Sequence, residues 1–509
     1  MKTCKILIIG NHPINYNLKC QYQANGDDVE LIVDYSLAME TDFNSYREVC
    51  LLADYSKENM AADNEIMELV KRVAMIYEPA RHNGNRLLCH LLLRSQSLLR
   101  AFCLEGFRQE LEEKLEIYPF TIEDQWGQML AQQLDWEPIM LRTEKTVHLV
   151  IFGMNPIAEL VAINAAHVCH YPNSLQKEHS LRTRITIIDE DIYRKSKEWI
   201  SRYHNLFENS YYRFVDPQKT PVVTQTNPPK YRERESFVDI EWEFVSASST
   251  DTLVRSKISQ WAISPSQLLT IVFAEKDTAS VLSEVLYLPE EVVSEHVPVY
   301  VYMENDASCQ LIRQGGPMAV LRPFGMVNRG YDIHLPLVQM AKNVNYVYNK
   351  CRVMEKGDGT WKMEYAVEID PIERDVLWRM LPFDKRMSSY YNALTVGVKM
   401  RSMGFQENEW EKFYDISQEE IEVLAQVEHN RWCIEELIMG WRPCDDKEQR
   451  EVEADIHQKE VLKKRKIHYD LRAYNDLRPD ASGKPVQIYD RCLSACIPLI
   501  AKESKGGKI

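Results

Sequence analysis

No apolar run in these 509 residues is both long and charge-free enough to cross a bilayer. The most apolar stretch, LLCHLLLRSQSLLRAFCL (87–104), is broken by His90, Arg94 and Arg100, and reads as a buried or amphipathic helix. The start, MKTCKILIIGNHPIN, has no long apolar segment and no small-residue cleavage site, so a secretory signal is not expected. CxxC pairs are missing too. The twelve cysteines are scattered, with Cys492 and Cys496 at i and i+4, a pattern of reduced thiols in a cytoplasmic protein. There is no Walker A loop, no HExxH and no GxSxG, which removes P-loop NTPases, zincin proteases and α/β-hydrolases. HVCH (167–170) offers one thiol between two imidazoles with no further ligand near it, so no metal is expected. An excess of positive charge is also absent. A net charge of −15 disfavours nucleic acid and anionic membranes, but local donors can still hold a small anion.

What is present begins with two similar decapeptides, ILIIGNHPIN (6–15) and LVIFGMNPIA (149–158). Each is an apolar strand that ends in glycine and turns into a helix near a proline. Such a turn aims backbone N–H groups and the positive helix end at one point, where a phosphate can sit. Proline suits the first helical turn because its missing N–H is unused there. Against the dinucleotide fingerprint G-x-G-x-x-G, the second copy keeps Gly153, has Asn155 for the middle glycine and Ala158 for the third. Gly153, Met154, Asn155 and Pro156 are therefore the candidate phosphate turn. Asp189, Glu190 and Asp191, at the end of RITIIDED (184–191), are the candidate ribose ligands. The first copy departs further, and offers Gly10 and His12. From 148 onward, short apolar strands (148–152, 184–191, 238–247, 268–275, 297–304, 317–325) alternate with helices, which predicts a parallel sheet covered on both faces. Before it, strands at 5–9 and 29–35 are followed by helical patterns at 64–77, 84–117 and 122–134, half of a nucleotide-binding unit with a helical section. NPPKYRERES (227–236) reads as an exposed loop and KESKGGKI as a frayed tail.

The second unit, LVIFGMNPIAE plus IIDED, resembles over 147–325 the TrkA-N (RCK-type) NAD-binding domain of potassium-uptake regulators. The resemblance implies a Rossmann fold that senses nucleotides without catalysis, and tandem copies in that family would account for the repeat. Downstream, AQVEHNRWCIEELIMGWRP (425–443) puts Glu428, Arg431, Trp432 and Glu435 on one helical stripe. Trp432 and Trp441 can form an aromatic wall, and Arg431 and Arg442 offer planar phosphate donors. With HYDLRAYNDLRP (468–479) and the helix near Tyr489, this region resembles over 425–500 the RyR domain of ryanodine receptors and bacterial proteins. The insertion KEQREVEADIHQKEVLKKRK (447–466), read as a solvated helix or loop, departs from that pattern. Arg386-Met-Ser-Ser-x-x-Asn392 is similar to the segment that precedes bacterial RyR domains. The resemblance implies a ligand- or partner-binding module, with Glu428, Arg431, Trp432, Trp441, Arg442 and Tyr474 as its candidate ligand set, serving nucleotide or NAD-derived signals in bacterial defence.

The expected architecture is α/β: Rossmann-type parallel sheets, singly or in tandem, then a mainly helical RyR-like module. The boundaries are 1–145, 146–328, 329–416 and 417–509. The expected function is a cytoplasmic, homo-oligomeric nucleotide sensor, with NAD or a related nucleotide as ligand and with neither nucleic acid nor membrane as partner. An NAD-dependent or NAD-consuming enzyme with its site at the sheet's switch point, and a pure scaffold, stay open. No His, Lys or Tyr stands out as a catalyst, and an Asp189/Asp191 pair is unremarkable among 76 acidic residues.

Overall fold

The computed structural model describes residues 5–502 apart from 177–180, 218–222, 228–236, 306, 308–309, 311–318, 357–359, 365, 367 and 481–482. Most of the predicted 227–236 loop and of the tail lies outside the described residues. The chain is α/β. Its first sheet is wholly parallel, with strands β1 (Lys5–Ile9), β2 (Asp28–Ile32), β3 (Glu48–Leu52), β4 (Leu87–Leu92) and β5 (Leu115–Phe120) in the order β2-β1-β3-β4-β5. Helices α1 (Asn15–Ala24), α2 (Asn59–Ile76) and α3 (Gln96–Glu105) lie along it. The expectation of half a unit followed by helices is thus corrected. LLCHLL (87–92) is a strand, and only Gln96 onward is helix, opened by the Ser95 hydroxyl, which accepts from Leu98 N. A parallel strand buried on both faces carries no alternation, so its apolar run has no period to distinguish it from a buried helix.

Helix α4 (Ile122–Ala131) leads to the second sheet. Its strands are β6 (Thr146–Phe152), β7 (Thr183–Ile188), β8 (Tyr211–Asp216), β9 (Val223–Asn227), β10 (Ile240–Val245), β11 (Gln267–Phe273), β12 (Val299–Tyr302) and β13 (Leu321–Phe324). They lie in the order β13-β12-β11-β6-β7-β10-β8-β9, all parallel except β9, which pairs antiparallel with β8 at the edge. The six strands from β13 to β10 have the Rossmann order, and its direction reverses between β6 and β11. Alternate residues of β6 serve opposite faces. Leu149 and Ile151 join the core under helices α5 (Pro156–Val168) and α6 (Ile192–Arg202). Val150 and Phe152 join the core under α7 (Thr252–Ala262) and α8 (Thr278–Leu286).

The remaining helices include α9 (Phe383–Leu394), α10 (Val396–Ser402), α11 (Gln418–Ile438), α12 (Asp446–Ala454), α13 (Gln458–Lys463) and α14 (Ile488–Ala495). The predicted capping box opens α11, with Ser417 and Glu420 each bonded to the other's backbone N–H. This helix is almost wholly buried. Cys433, Ile434, Leu437 and Ile438, with Leu394, Val398 and Leu471, share one core with β6, β7 and α5. The C-terminal helices therefore form part of the covering layer of the second sheet. The charged run 447–466 folds into α12 and α13, and buries Val452 and Leu462 against Cys444, Ile467 and Tyr469.

The chain crosses between the two sheets more than once. After β13, Tyr331 returns to stack on Phe120 at 3.7 Å and to meet His90 Nδ1 at 2.6 Å. Lys342 then pairs with Glu116 of the first sheet, and Arg386, on α9, with Glu112. From there Tyr391 stacks on His167 of α5, at 3.9 Å and 3° between planes.

Candidate functional site

At the second sheet's reversal point the predicted turn is present and largely closed on itself. Gly153 has φ +82° and donates its N–H to Ile188 O. Asn155 caps α5, its Oδ1 accepting from Ile157 N (2.9 Å) and Ala158 N (3.1 Å), while its Nδ2 donates to Ala274 O (3.0 Å). Pro156 begins the helix. Met154 N donates to Asp189 Oδ2 (2.8 Å), Asp191 N to Asp189 Oδ1 (2.8 Å), and Lys195 pairs with the same carboxylate at 2.6 Å. Asp191 pairs with Arg194, and Glu190 is exposed. A Cβ on Gly153 would lie 2.3 Å from Glu275 Oε1, and burial raises the pKa of that carboxyl. The N–H groups a phosphate would use are thus answered by Asn155 and Asp189. An incoming anion must displace the Asn155 carboxamide and approach between two acids.

The first turn is tighter. Gly10 has φ +131°, and a Cβ there would lie 2.1 Å from Leu52 O, so no other residue fits. His12 is buried, its Nδ1 accepts from Ile14 N, and burial, reinforced by Arg94, lowers its pKa to about 3. It is a neutral imidazole against the Tyr55 ring. The Tyr55 hydroxyl donates to Glu304 (2.6 Å), which joins the C-terminal edges of the two sheets.

The helix that carries EHNRW has two different sides. Inside, Arg431 is 2% exposed and donates to Glu428 (2.8–3.0 Å) and Glu435 (2.6 Å), and Lys399 adds a second cation on Glu428 at 2.5 Å. His429 donates from Nε2 to Arg472 O (2.8 Å) and turns Nδ1 toward Asp490 at 3.4 Å, so both nitrogens face acceptors and the ring is an imidazolium. Three cations and three carboxylates balance there, all buried except the partly exposed Asp490. Burial alone would raise the Glu428 pKa, but Arg431 and Lys399 bring it down to about 2. Burial lowers the Lys399 pKa. Glu428 and Arg431, expected as ligand contacts, belong to this internal network. Tyr474 is buried edge-on to His429, and both Arg442 amino groups bond Glu448 at 2.7–2.8 Å.

On the outer side the predicted aromatic wall is half-buried. Gly440, at φ +86° with open space around it, turns the chain so that Trp441 comes back toward Trp432. The His468 ring stands between them, 5.0 Å and 78° from Trp432, 5.8 Å and 69° from Trp441. Lys385 Nζ lies 5.3 Å from the Trp441 centroid. Burial holds the His468 pKa down to about 4, with Lys463, Lys459 and Lys385 acting the same way against Asp470. Its Nδ1 accepts from Asp470 N, so the proton sits on Nε2, which has no partner among the described residues. The group is therefore two indoles, a neutral imidazole donor and the Lys385 ammonium, with Lys459 and Lys463 held nearby by Asp470 and Glu460. Trp432 and Trp441 were expected here. Lys385 and His468 were not, since Lys385 arrives from a helix 47 residues before Trp432 and nothing in its local pattern marks it.

Among the described residues no helix is long and apolar enough to cross a membrane, and no cluster of three or more His, Cys, Asp or Glu could hold a metal. Comparison with known proteins finds no matching family model, no matching curated protein and no matching solved structure.

Proposed function

We propose that the chain is a nucleotide-binding regulatory protein, with the ligand's base held against Trp432 and Trp441 and its phosphate near Lys385 and Lys463. One observation carries this reading: two half-buried indoles flank a neutral His468 whose Nε2–H is unused, with the Lys385 ammonium over Trp441, in a chain whose net charge is −15. A base stacked on an aromatic ring contributes about 1–3 kcal/mol. That exceeds the roughly 0.5–1 kcal/mol of an exposed ammonium–indole contact, so a base can displace the Lys385 ammonium from the Trp441 ring toward the phosphate. NAD or a related nucleotide suits this chemistry. The self-capped turn at Gly153 makes the second sheet the body that responds. Helix α11 packs on α5, and α9 links Lys385 to His167 through Tyr391, so a change at the indoles reaches the helix behind Gly153. A response requires different affinities for two arrangements, and self-association is the proposed output.

The test is thermal stabilisation of the full chain by NAD, ADP-ribose and ATP, with product analysis in parallel. Ligand at about 100 times its Kd adds about 2.7 kcal/mol to the native state. Stabilisation without product, lost in Trp441→Ala, supports the sensor. Product formation rejects it in favour of an enzyme. No stabilisation by any of the three rejects nucleotide binding.

A further inference from the structure

A cavity of about 140 Å³ lies on the face of the second sheet opposite α5, between α7 and α8. Its floor is Phe152 and Phe273, the last residues of β6 and β11, stacked at 4.8 Å and 16°. Ile258, Leu288 and Pro289 add apolar wall, and Arg255 and Glu284 are the charged residues of its lining. None of Gly153, Asn155 or Asp189 lines it.

Size and charge narrow what it can take. An apolar cavity of about 150 Å³ accommodates one benzene ring, whereas drug-sized ligands need roughly 300 Å³ or more, so a nucleotide does not fit. The charged lining is amphoteric. Arg255 and Glu284 are both half-buried, and among the described residues neither has an ion-pair partner. A ligand with a single charge would satisfy one and leave the other unpaired beside the bound ligand, which is costly. A zwitterion satisfies both.

We propose that this cavity binds a free aromatic amino acid, its ring on Phe152 and Phe273, its carboxylate on Arg255 and its ammonium on Glu284. Binding would brace α7 and α8 against the ends of β6 and β11, beside the Gly153 turn. The site is independent of the indole pair.

The experiment is calorimetric titration of the full chain with L-phenylalanine, 3-phenylpropionate, phenethylamine and guanosine. Saturable binding of phenylalanine is expected, weakened by at least about tenfold, or roughly 1.4 kcal/mol, when either ligand charge is missing. Arg255→Ala should bring phenylalanine down to the level of phenethylamine, and Glu284→Gln should bring it down to that of phenylpropionate. Thr250→Trp, which fills the cavity from an exposed lining position, should abolish binding with the fold intact by circular dichroism. Trp441→Ala should leave phenylalanine binding unchanged, so this idea and the nucleotide reading fail separately. No saturable binding at millimolar phenylalanine overturns the proposal. So does binding indifferent to both charge variants, or guanosine binding lost in Arg255→Ala while phenylalanine does not bind.

Discussion

Replacing Arg431 by methionine separates a structural arginine from a ligand-binding one. The substitution keeps an unbranched side chain in a buried site but removes four hydrogen bonds, three to Glu428 and one to Glu435. It leaves Lys399 and His429 against three carboxylates, Glu428, Glu435 and Asp490. Stranding one partner of a buried pair costs about 3–5 kcal/mol. At about 2.1 cal/mol/K per residue, a cooperative unit of roughly 360 residues from β6 to the C-terminus unfolds with about 0.76 kcal/mol/K, so its Tm should fall by about 4–7 °C. The double variant Arg431→Met/Glu435→Leu restores two cations against two carboxylates and should be more stable than the single one, since a balanced apolar replacement of an ion pair is often neutral. Tryptophan fluorescence and calorimetry report the transition. A single variant costing under about 1 kcal/mol while abolishing nucleotide stabilisation would refute the reasoning, as would a double variant less stable than the single.

Acid should unfold the protein in two stages. The His468 pKa is depressed from 6.5 to about 4, so its contribution is complete above pH 6.5, declines as pH falls toward 4 and is flat below; 2.5 units correspond to about 3 kcal/mol, and His468→Asn should flatten that part of the stability–pH curve. Glu428, depressed from 4.5 to about 2, contributes fully above pH 4.5 and loses that contribution as pH falls toward 2, a stage His468→Asn leaves in place. Three glycines with positive φ should rank by what a methyl group meets. Gly10→Ala, against a backbone carbonyl at 2.1 Å, should fail to yield soluble protein; Gly153→Ala, against a movable carboxylate, should fold with a lowered Tm; Gly26→Ala, in open space, should cost only about 1 kcal/mol. Asn155→Ala should destabilise by about 1 kcal/mol through loss of the cap, and should increase stabilisation by inorganic phosphate, because Ile157 N and Ala158 N are then unoccupied; unchanged phosphate dependence would remove any anion role from this turn.

The second sheet was readable because most of its strands alternate with helices of ordinary length. Even so, β8 was missed, a strand whose residues are all half-buried and whose partner β9 lies beside the undescribed 228–236. The first sheet was misread for the opposite reason. VCLL in β3 is uniformly apolar and LLCHLL in β4 is apolar but for His90, and neither shows a period. In the C-terminal region the EHNRW spacing located a helix and two indoles correctly, but spacing does not give direction. Trp432 faces outward next to Arg431, which faces a sealed set of charges. Arg431 bonds Glu428 and Glu435 on its own helix, but the network that seals them also takes Lys399 and Asp490, residues 32 before and 59 after it. The contribution of Lys385 to the indole pair was hidden in the same way.

The repeated passage of the chain between the sheets limits how the molecule can move. One linker runs through α4 from β5 to β6, a second returns at Tyr331, and α9 carries the chain across again from Glu112 to His167. Two bodies joined by one tether can swivel; two bodies joined by three can only rock or slide by small amounts unless a tether lets go. The Tyr55–Glu304 contact between the sheet edges is an external latch on such a rocking motion. A protease cut in any one linker would leave the halves attached, so limited proteolysis should nick the chain without separating it. Motion on ligand binding should register as altered hydrogen exchange along α5 and α9, with little change in overall dimensions.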